Sequence, residues 1–325
     1  MTNHPDEPVF SVTKSVYRSM IAENTARRTT MVAVPKAKHD AAVWIRDGIC
    51  RYTASAENCL PLDGGHEPAW GEPLVGFSRG DDPLYQRFKE DIGPFFWTPP
   101  EAFAKAFPDV KVAADALTVI SWVLPQTERS RLDNSKEKTL PAKRWAFSRK
   151  YGEEFNVKLR DHVARFLSEA GYEAVAPMNS PLWKWEKSER YGLASSWSER
   201  HAAYASGLGT FGLCDGLITP KGKAMRCGSV VARIAVPASE RPYDNRHAYC
   251  LHYFDGSCGK CIKRCPADAI SREGGHDKEK CFNYLHNVTE KYIESRYGIK
   301  TSPCGLCQTG VPCEAKIPVP GRTGS

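Results

Sequence analysis

Residues 258–270, "CGKCIKRCPADAI", and residues 304–318, "CGLCQTGVPCEAKIP", decide how this chain is read. The first stretch puts Cys258, Cys261 and Cys265 at the second, third and fourth places of the bacterial run that ligates iron–sulfur clusters, with Pro266 behind the last. The run's first place falls on Asp255, but Cys250 lies five residues further upstream and can supply the missing thiolate if "CLHYFDGSC" loops out. The second stretch offers Cys304, Cys307 and, after a longer gap, Cys313, with Cys281 as the distant first member. In two-cluster ferredoxins the fourth cysteine of each run crosses to the other cluster. The spacing therefore predicts two [4Fe–4S] clusters, one on Cys250, Cys258, Cys261 and Cys313, the other on Cys281, Cys304, Cys307 and Cys265. Two structural Cys₄ zinc sites are the alternative, since they also use C-x-x-C pairs. Three close cysteines followed by proline, approximated twice, favour iron.

Those eight are part of a total of 12 cysteines, and they crowd into the C-terminal quarter, whereas a disulfide framework belongs to small secreted chains. With 325 residues and 41% hydrophobic content there is room for two domains with cores of their own. The longest apolar stretch, "DALTVISWVLP" at 115–125, is too short for a membrane span and reads as one buried strand. No basic segment followed by an apolar one opens the chain, and the pair Arg27–Arg28 is followed by polar residues, so a cytoplasmic protein without a membrane partner is expected. The formal charge of +7 is dispersed, which argues against a nucleic-acid stripe. Two clusters, each about −2 with its thiolates, would bring it to about +3.

Working outward, residues 241–325 form the expected ferredoxin-like domain, inside which Asn287 and Glu290 read as a capping box for a helix ending at Gly298. Residues 111–240 alternate regularly: a strand near 117–124, an amphipathic helix from about 152 to 170 stopped by Gly171, a strand "YEAVAP", a helix from Ser198, a glycine-rich turn, and a strand "GSVVARIAV". This order predicts a layered α/β core. Residues 1–110, rich in Gly and Pro, read as an irregular region wrapping that core, with one helix from Thr98 to Phe107.

The stretch 198–236, "SERHAAYASGLGTFGLCDGLITPKGKAMRCGSVVARIAV", followed by the two cysteine motifs, resembles the corrinoid iron–sulfur reductases: epoxyqueuosine reductases and reductive dehalogenases. The shared elements are Glu199, Arg200 and Ala202, the turn Gly207–Leu208–Gly209, Gly212, "LITP", then Arg226 and Gly228 before a strand. The resemblance implies a nitroreductase-like α/β (α+β) core that holds cobalamin, one cluster near the corrin, and a second taking electrons from an external donor such as ferredoxin or flavodoxin. It implies a corrin-binding set of Ser196, His201, Gly207, Leu208, Gly209, Thr210, Phe211, Gly212 and Gly228, with no protein ligand to cobalt from His201. Reductive cleavage of a carbon–halogen, carbon–oxygen or carbon–sulfur bond of a small organic substrate is the expected reaction. A corrinoid-reducing carrier without its own substrate and a tRNA-modifying reductase are the alternatives.

One departure bears on the chemistry. Epoxyqueuosine reductases carry a catalytic Asp fourteen residues before the first glycine of this turn, and here that position is Leu193. Tyr191, two residues earlier, is the candidate proton donor, and Arg226 the candidate for stabilising a phenolate or a leaving anion. The aromatic residues of "IGPFFWTPPEAF" together with Trp183, Trp185 and Trp197 are candidates for an apolar pocket wall, while Cys50, Cys59, Cys214 and Cys227 are expected to pack as ordinary buried thiols.

Overall fold

Thr118–Pro125 is the strand on which the rest is laid: all eight residues are buried in the structure, a computed structural model that describes residues 38–62 and 65–321. It pairs antiparallel with Leu74–Arg79 on one side and Met225–Ala232 on the other, and the latter pairs with Ala174–Val175 to complete a four-stranded sheet. Alternate side chains of the central strand enter different cores. Val119 and Val123 face Phe96, Phe103, Trp197 and the helix Glu199–Ala205, while Ile120, Trp122 and Leu124 face the helices Lys38–Thr53 and Glu153–Glu169. Helices thus cover both faces, and so the strand is buried throughout instead of alternating with exposed polar residues.

Local signals set the element ends. Thr98 caps Pro99–Ala106 in a capping box with Glu101, and Gly171, at φ +91°, follows the end of Glu153–Glu169. Residues 38–110 are more regular than their composition suggests, since they give the sheet a strand and the two cores the helices Lys38–Thr53, Pro83–Ile92 and Pro99–Ala106. The remainder of the expected N-terminal region lies outside the described residues.

The capping box at Asn287 is a misreading. The helix starts at Lys278, where Asp277 accepts from the Lys280 amide at 2.9 Å, and continues through a widened turn at Leu285–Glu290 to Tyr297. Gly298 ends it in the left-handed region, as expected. The rest of the cysteine segment is short pieces: Leu251–Phe254, Lys260–Lys263, a hairpin of Ile270–Ser271 with Gly275–His276, and one turn at Leu306–Gln308. No helix among the described residues is long and apolar enough to cross a membrane.

Candidate electron-transfer and reducing site

Cys250, Cys258, Cys261 and Cys313 line one cavity, the four residues that the crossed spacing assigns to a single cluster. The short helix Lys260–Lys263 presents Cys261, and Cys250 caps Leu251–Phe254, so loops of few residues carry the whole set. Lys223 also lines this cavity, almost wholly buried, and its backbone is pinned by bonds to the carbonyls of Cys313 (2.8 Å) and Glu314 (3.1 Å). Its Nζ donates to Cys214 Sγ at 3.2 Å. Cys214 in turn hydrogen-bonds with Cys261 of the first set and Cys307 of the second, and these bonds, with the Lys223 ammonium, hold its thiol well below the usual range. Burial disfavours the Lys223 charge, but the thiolates of Cys214, Cys313, Cys307 and Cys261 more than offset this and raise its pKa. A ninth thiol and a buried cation therefore sit between the two sets, and Cys214 does not simply pack.

The second set is recognisable by its mutual electrostatics. Burial, with the nearby charges of Cys281 and Cys265, pushes Cys304 up to about 12, while Cys307 is raised first by its hydrogen bond to Cys214, then by burial, with Cys304 adding less. Asn134 ties this loop to the core, donating to the Cys304 carbonyl at 3.3 Å and to Thr309 at 3.1 Å. Among the described residues no group of three or more His, Cys, Asp or Glu side chains is gathered as a single metal ion would require. Four thiols around one cavity are the number of donors one cubane takes.

Beyond Cys281 lies a polar cluster. His276 meets Asp215 at 3.2 Å; burial opposes its protonation, but Asp215 and Cys281 raise its pKa to about 9. Lys278, on the Cys281 helix, donates to the Leu193 carbonyl at 3.2 Å and places Nζ 5.2 Å from the centre of the Tyr191 ring. Tyr191 sits in the turn of a hairpin, Trp185–Ser188 with Gly192–Ser195, and its hydroxyl donates to Asp91 Oδ2 at 2.5 Å. Arg246 Nη1 lies 3.2 Å from the same hydroxyl and 3.4 Å from Asp91, which also binds Arg190. Burial, then the bond to Asp91, raises the Tyr191 pKa, so the phenol keeps its proton at neutral pH.

The expected partner Arg226 stands in another network. Its Nε bonds Glu153 at 2.9 Å, and Glu153 and Glu199 both pair with buried Arg160 at 3.0 Å, tying the helix Glu199–Ala205 to Glu153–Glu169. The base beside Tyr191 is Arg246, from the polar connection 238–249, and the acid is Asp91, from the helix Pro83–Ile92. Neither was singled out from sequence, because nothing local relates residues about 100 positions apart.

The residues expected to hold a corrin are engaged with protein. A Cβ at Gly207 would lie 2.2 Å from the Glu240 carbonyl oxygen and one at Gly209 2.3 Å from that of Ile218, so these glycines serve close chain packing. One at Gly228 would meet Trp122 at 2.5 Å, and one at Gly212 would press on the Ile218 side chain at 3.2 Å. Thr210 Oγ1 accepts from the Tyr249 amide at 3.0 Å, Ser196 Oγ accepts from the Lys184 amide at 3.1 Å, and Leu208 and Phe211 are core. His201 bonds Ser198 Oγ at 2.8 Å, and its ring is boxed by Phe88, Phe96 and Phe211; burial drops its pKa to about 3. At Gly207 and Gly209 the turn is packed closely by the chain itself. The aromatic residues expected to wall a pocket, Phe96, Trp97, Phe103 and Trp197, are core, and Trp185 is exposed. Cys227 packs as expected, burial pushing it up to about 12.

No protein-family model matches the chain. Over 120 residues it is 29% identical to the epoxyqueuosine reductase of Bacillus anthracis, a stretch that is 35% of this chain and 29% of that protein's length. Among solved structures it is similar to a selenomethionine-labelled epoxyqueuosine reductase, with a TM-score of 0.43 and 16% identity over 84% of this chain and 66% of that one. It is also similar to a catabolic reductive dehalogenase in complex with 3-bromo-4-hydroxybenzoic acid, with a TM-score of 0.47 and 16% identity over 87% of this chain and 38% of the other. The resemblance drawn from the sequence is thus met, over those 120 residues, by sequence similarity to an epoxyqueuosine reductase.

Proposed function

We propose that this chain is an iron–sulfur oxidoreductase that reductively cleaves a carbon–heteroatom bond of a small organic substrate, fed by an external low-potential electron donor. The observation that carries the reading is the adjacency of the Cys281 helix to a protonated phenol: Lys278 shares that helix with Cys281 and stands 5.2 Å from the Tyr191 ring. Cys250, Cys258, Cys261 and Cys313 would hold one [4Fe–4S] cluster and Cys265, Cys281, Cys304 and Cys307 the other. When bound, the clusters supply single electrons at low potential. Cobalamin enters only through the resemblance of residues 198–236, and no step is assigned to it.

The chain's own residues manage the proton. Cleavage consumes two electrons and one proton, and yields a carbon–hydrogen bond and a leaving anion. Tyr191 holds that proton, and Arg246 and Lys278 stabilise the phenolate left behind. Asp91, from another helix, orients the hydroxyl by accepting its hydrogen bond, and Tyr191 takes the proton-donating part that Leu193 cannot play. A carrier that passes electrons on without a substrate of its own is the competing reading, favoured by the apolar Leu193. Tyr191→Phe separates the two. In an enzyme it lowers turnover by roughly 10²–10⁴-fold at unchanged iron content; in a carrier the rate of electron delivery is unmoved, and that result would end the enzymatic reading.

A further inference from the structure

The cavity of the first cysteine set has a second side. Leu251, Cys258 and Pro312 line both that cavity and an open groove on the outer surface. The groove's other walls carry Lys260, Lys263 and Arg272, and no acidic side chain lines it among the described residues. Lys260 and Lys263 come from the short helix that presents Cys261, so the positive charge is placed by the same turn that places the thiol. Both lysines and Arg272 are exposed. Arg272 is held by the Gly256 carbonyl at 3.2 Å, and neither lysine has an ion pair among the described residues. Beside them the helix Leu251–Phe254 exposes Tyr253 at 46% and Phe254 at 52%.

A cationic concavity with an apolar rim, one residue deep above a thiol of the first set, is built to receive a protein that carries negative charge around its own redox group. Opposite potentials steer such an encounter and speed association. The buried Lys223–Cys214 pair lies on the inner side of the same cavity, next to Cys307 of the second set. The groove and the second set thus flank the first set from opposite sides.

We propose that the groove at Lys260, Lys263 and Arg272 is the docking surface for an acidic one-electron carrier protein, which is oxidised by one electron per encounter as the chain is reduced by one. This rests on the iron–sulfur reading above and names the partner it needs. Direct passage through Cys258 makes the contact short, and the exchange needs no proton or bond change.

The test uses the protein purified anaerobically with its metal, and an acidic flavodoxin as probe. Affinity is measured by calorimetry between low and moderate salt, beside reduction of the protein by photoreduced deazaflavin, a small uncharged route. Lys260→Glu with Lys263→Glu should weaken flavodoxin binding at least tenfold and flatten its salt dependence, with iron content and deazaflavin reduction as in the parent. The milder Lys263→Gln should fall between, which covers the case of a double variant that fails to assemble. Unchanged affinity and an unchanged salt slope in Lys263→Gln and the double variant would overturn the docking surface. Absence of iron, or failure of deazaflavin to reduce the parent protein, would instead overturn the iron–sulfur reading, so the two failures are told apart.

Discussion

Between Thr118 and Pro125 every side chain is buried among apolar neighbours, whereas from Cys250 to Cys313 the buried apolar side chains other than cysteine are Ala269, Ile270, Ile293, Leu306 and Val311 among the described residues. The sheet has helices on both faces and closes its own core; the cysteine segment spends its interior on thiols and leaves Tyr253, Phe254, Phe282 and Val288 exposed. Apolar burial at about 25 cal/mol per Å² can hold the first region without help, but it cannot offset the cost of ordering the second. The contrast teaches where metal, once bound, would do structural work. It also explains why the polar ties between the regions, Asn134 to Cys304 and Lys223 to Cys313, run from the core outward.

The sharpest way to break this contrast is to remove the metal. Chelation under anaerobic reducing conditions should abolish hydrogen-exchange protection across residues 250–313 and leave the sheet strands protected, because ligand binding and local folding are one equilibrium there. Protection retained in the segment would show that it folds by packing alone. The converse perturbation is Trp122→Ala, which removes the largest wholly buried side chain of the central strand and its bond to Asn156. It should cost about 3–5 kcal/mol in denaturant unfolding of the core, with iron per chain preserved.

Legibility from sequence follows the same division. The strand at 118–125, the helix at 153–169 and the Thr98 cap were readable because their signals are local: an apolar run, a helical stripe, a Pro-Pro pair after Thr. That Cys250, Cys258, Cys261 and Cys313 line one cavity was readable because ligand spacing is a sequence property. What escaped was assembled at long range. Asp91, Tyr191 and Arg246 come from three elements, and Lys223 and Cys214 reach the clusters' gap from the glycine turn. Asn287 was misread because the Asp277 cap, ten residues earlier, already starts the helix. The glycines of the turn answered to packing with Glu240 and Ile218, a contact no spacing could show.

The smallest expected effect concerns His201, which the core keeps neutral by burial, its pKa down to about 3 from the ordinary 6.5. The unfolded chain binds this proton below pH 6.5 while the folded chain does not, so stability rises with pH across that window. It is fully present above 6.5 and is lost progressively as pH falls toward 3. His201→Phe should show less acid destabilisation than the parent in denaturant midpoints taken at pH 7 and pH 5. An equal pH dependence in both would place the titration elsewhere.

The central claim is that the eight cysteines form two cluster-holding sets divided as the cavity and the thiol electrostatics divide them. Metal analysis with EPR of the anaerobically purified chain, beside Cys304→Ser, tests it most directly. The account predicts about eight irons per chain falling to about four in the variant, with the signal of one cluster kept; zinc in place of iron, or iron unmoved by Cys304→Ser, would contradict it.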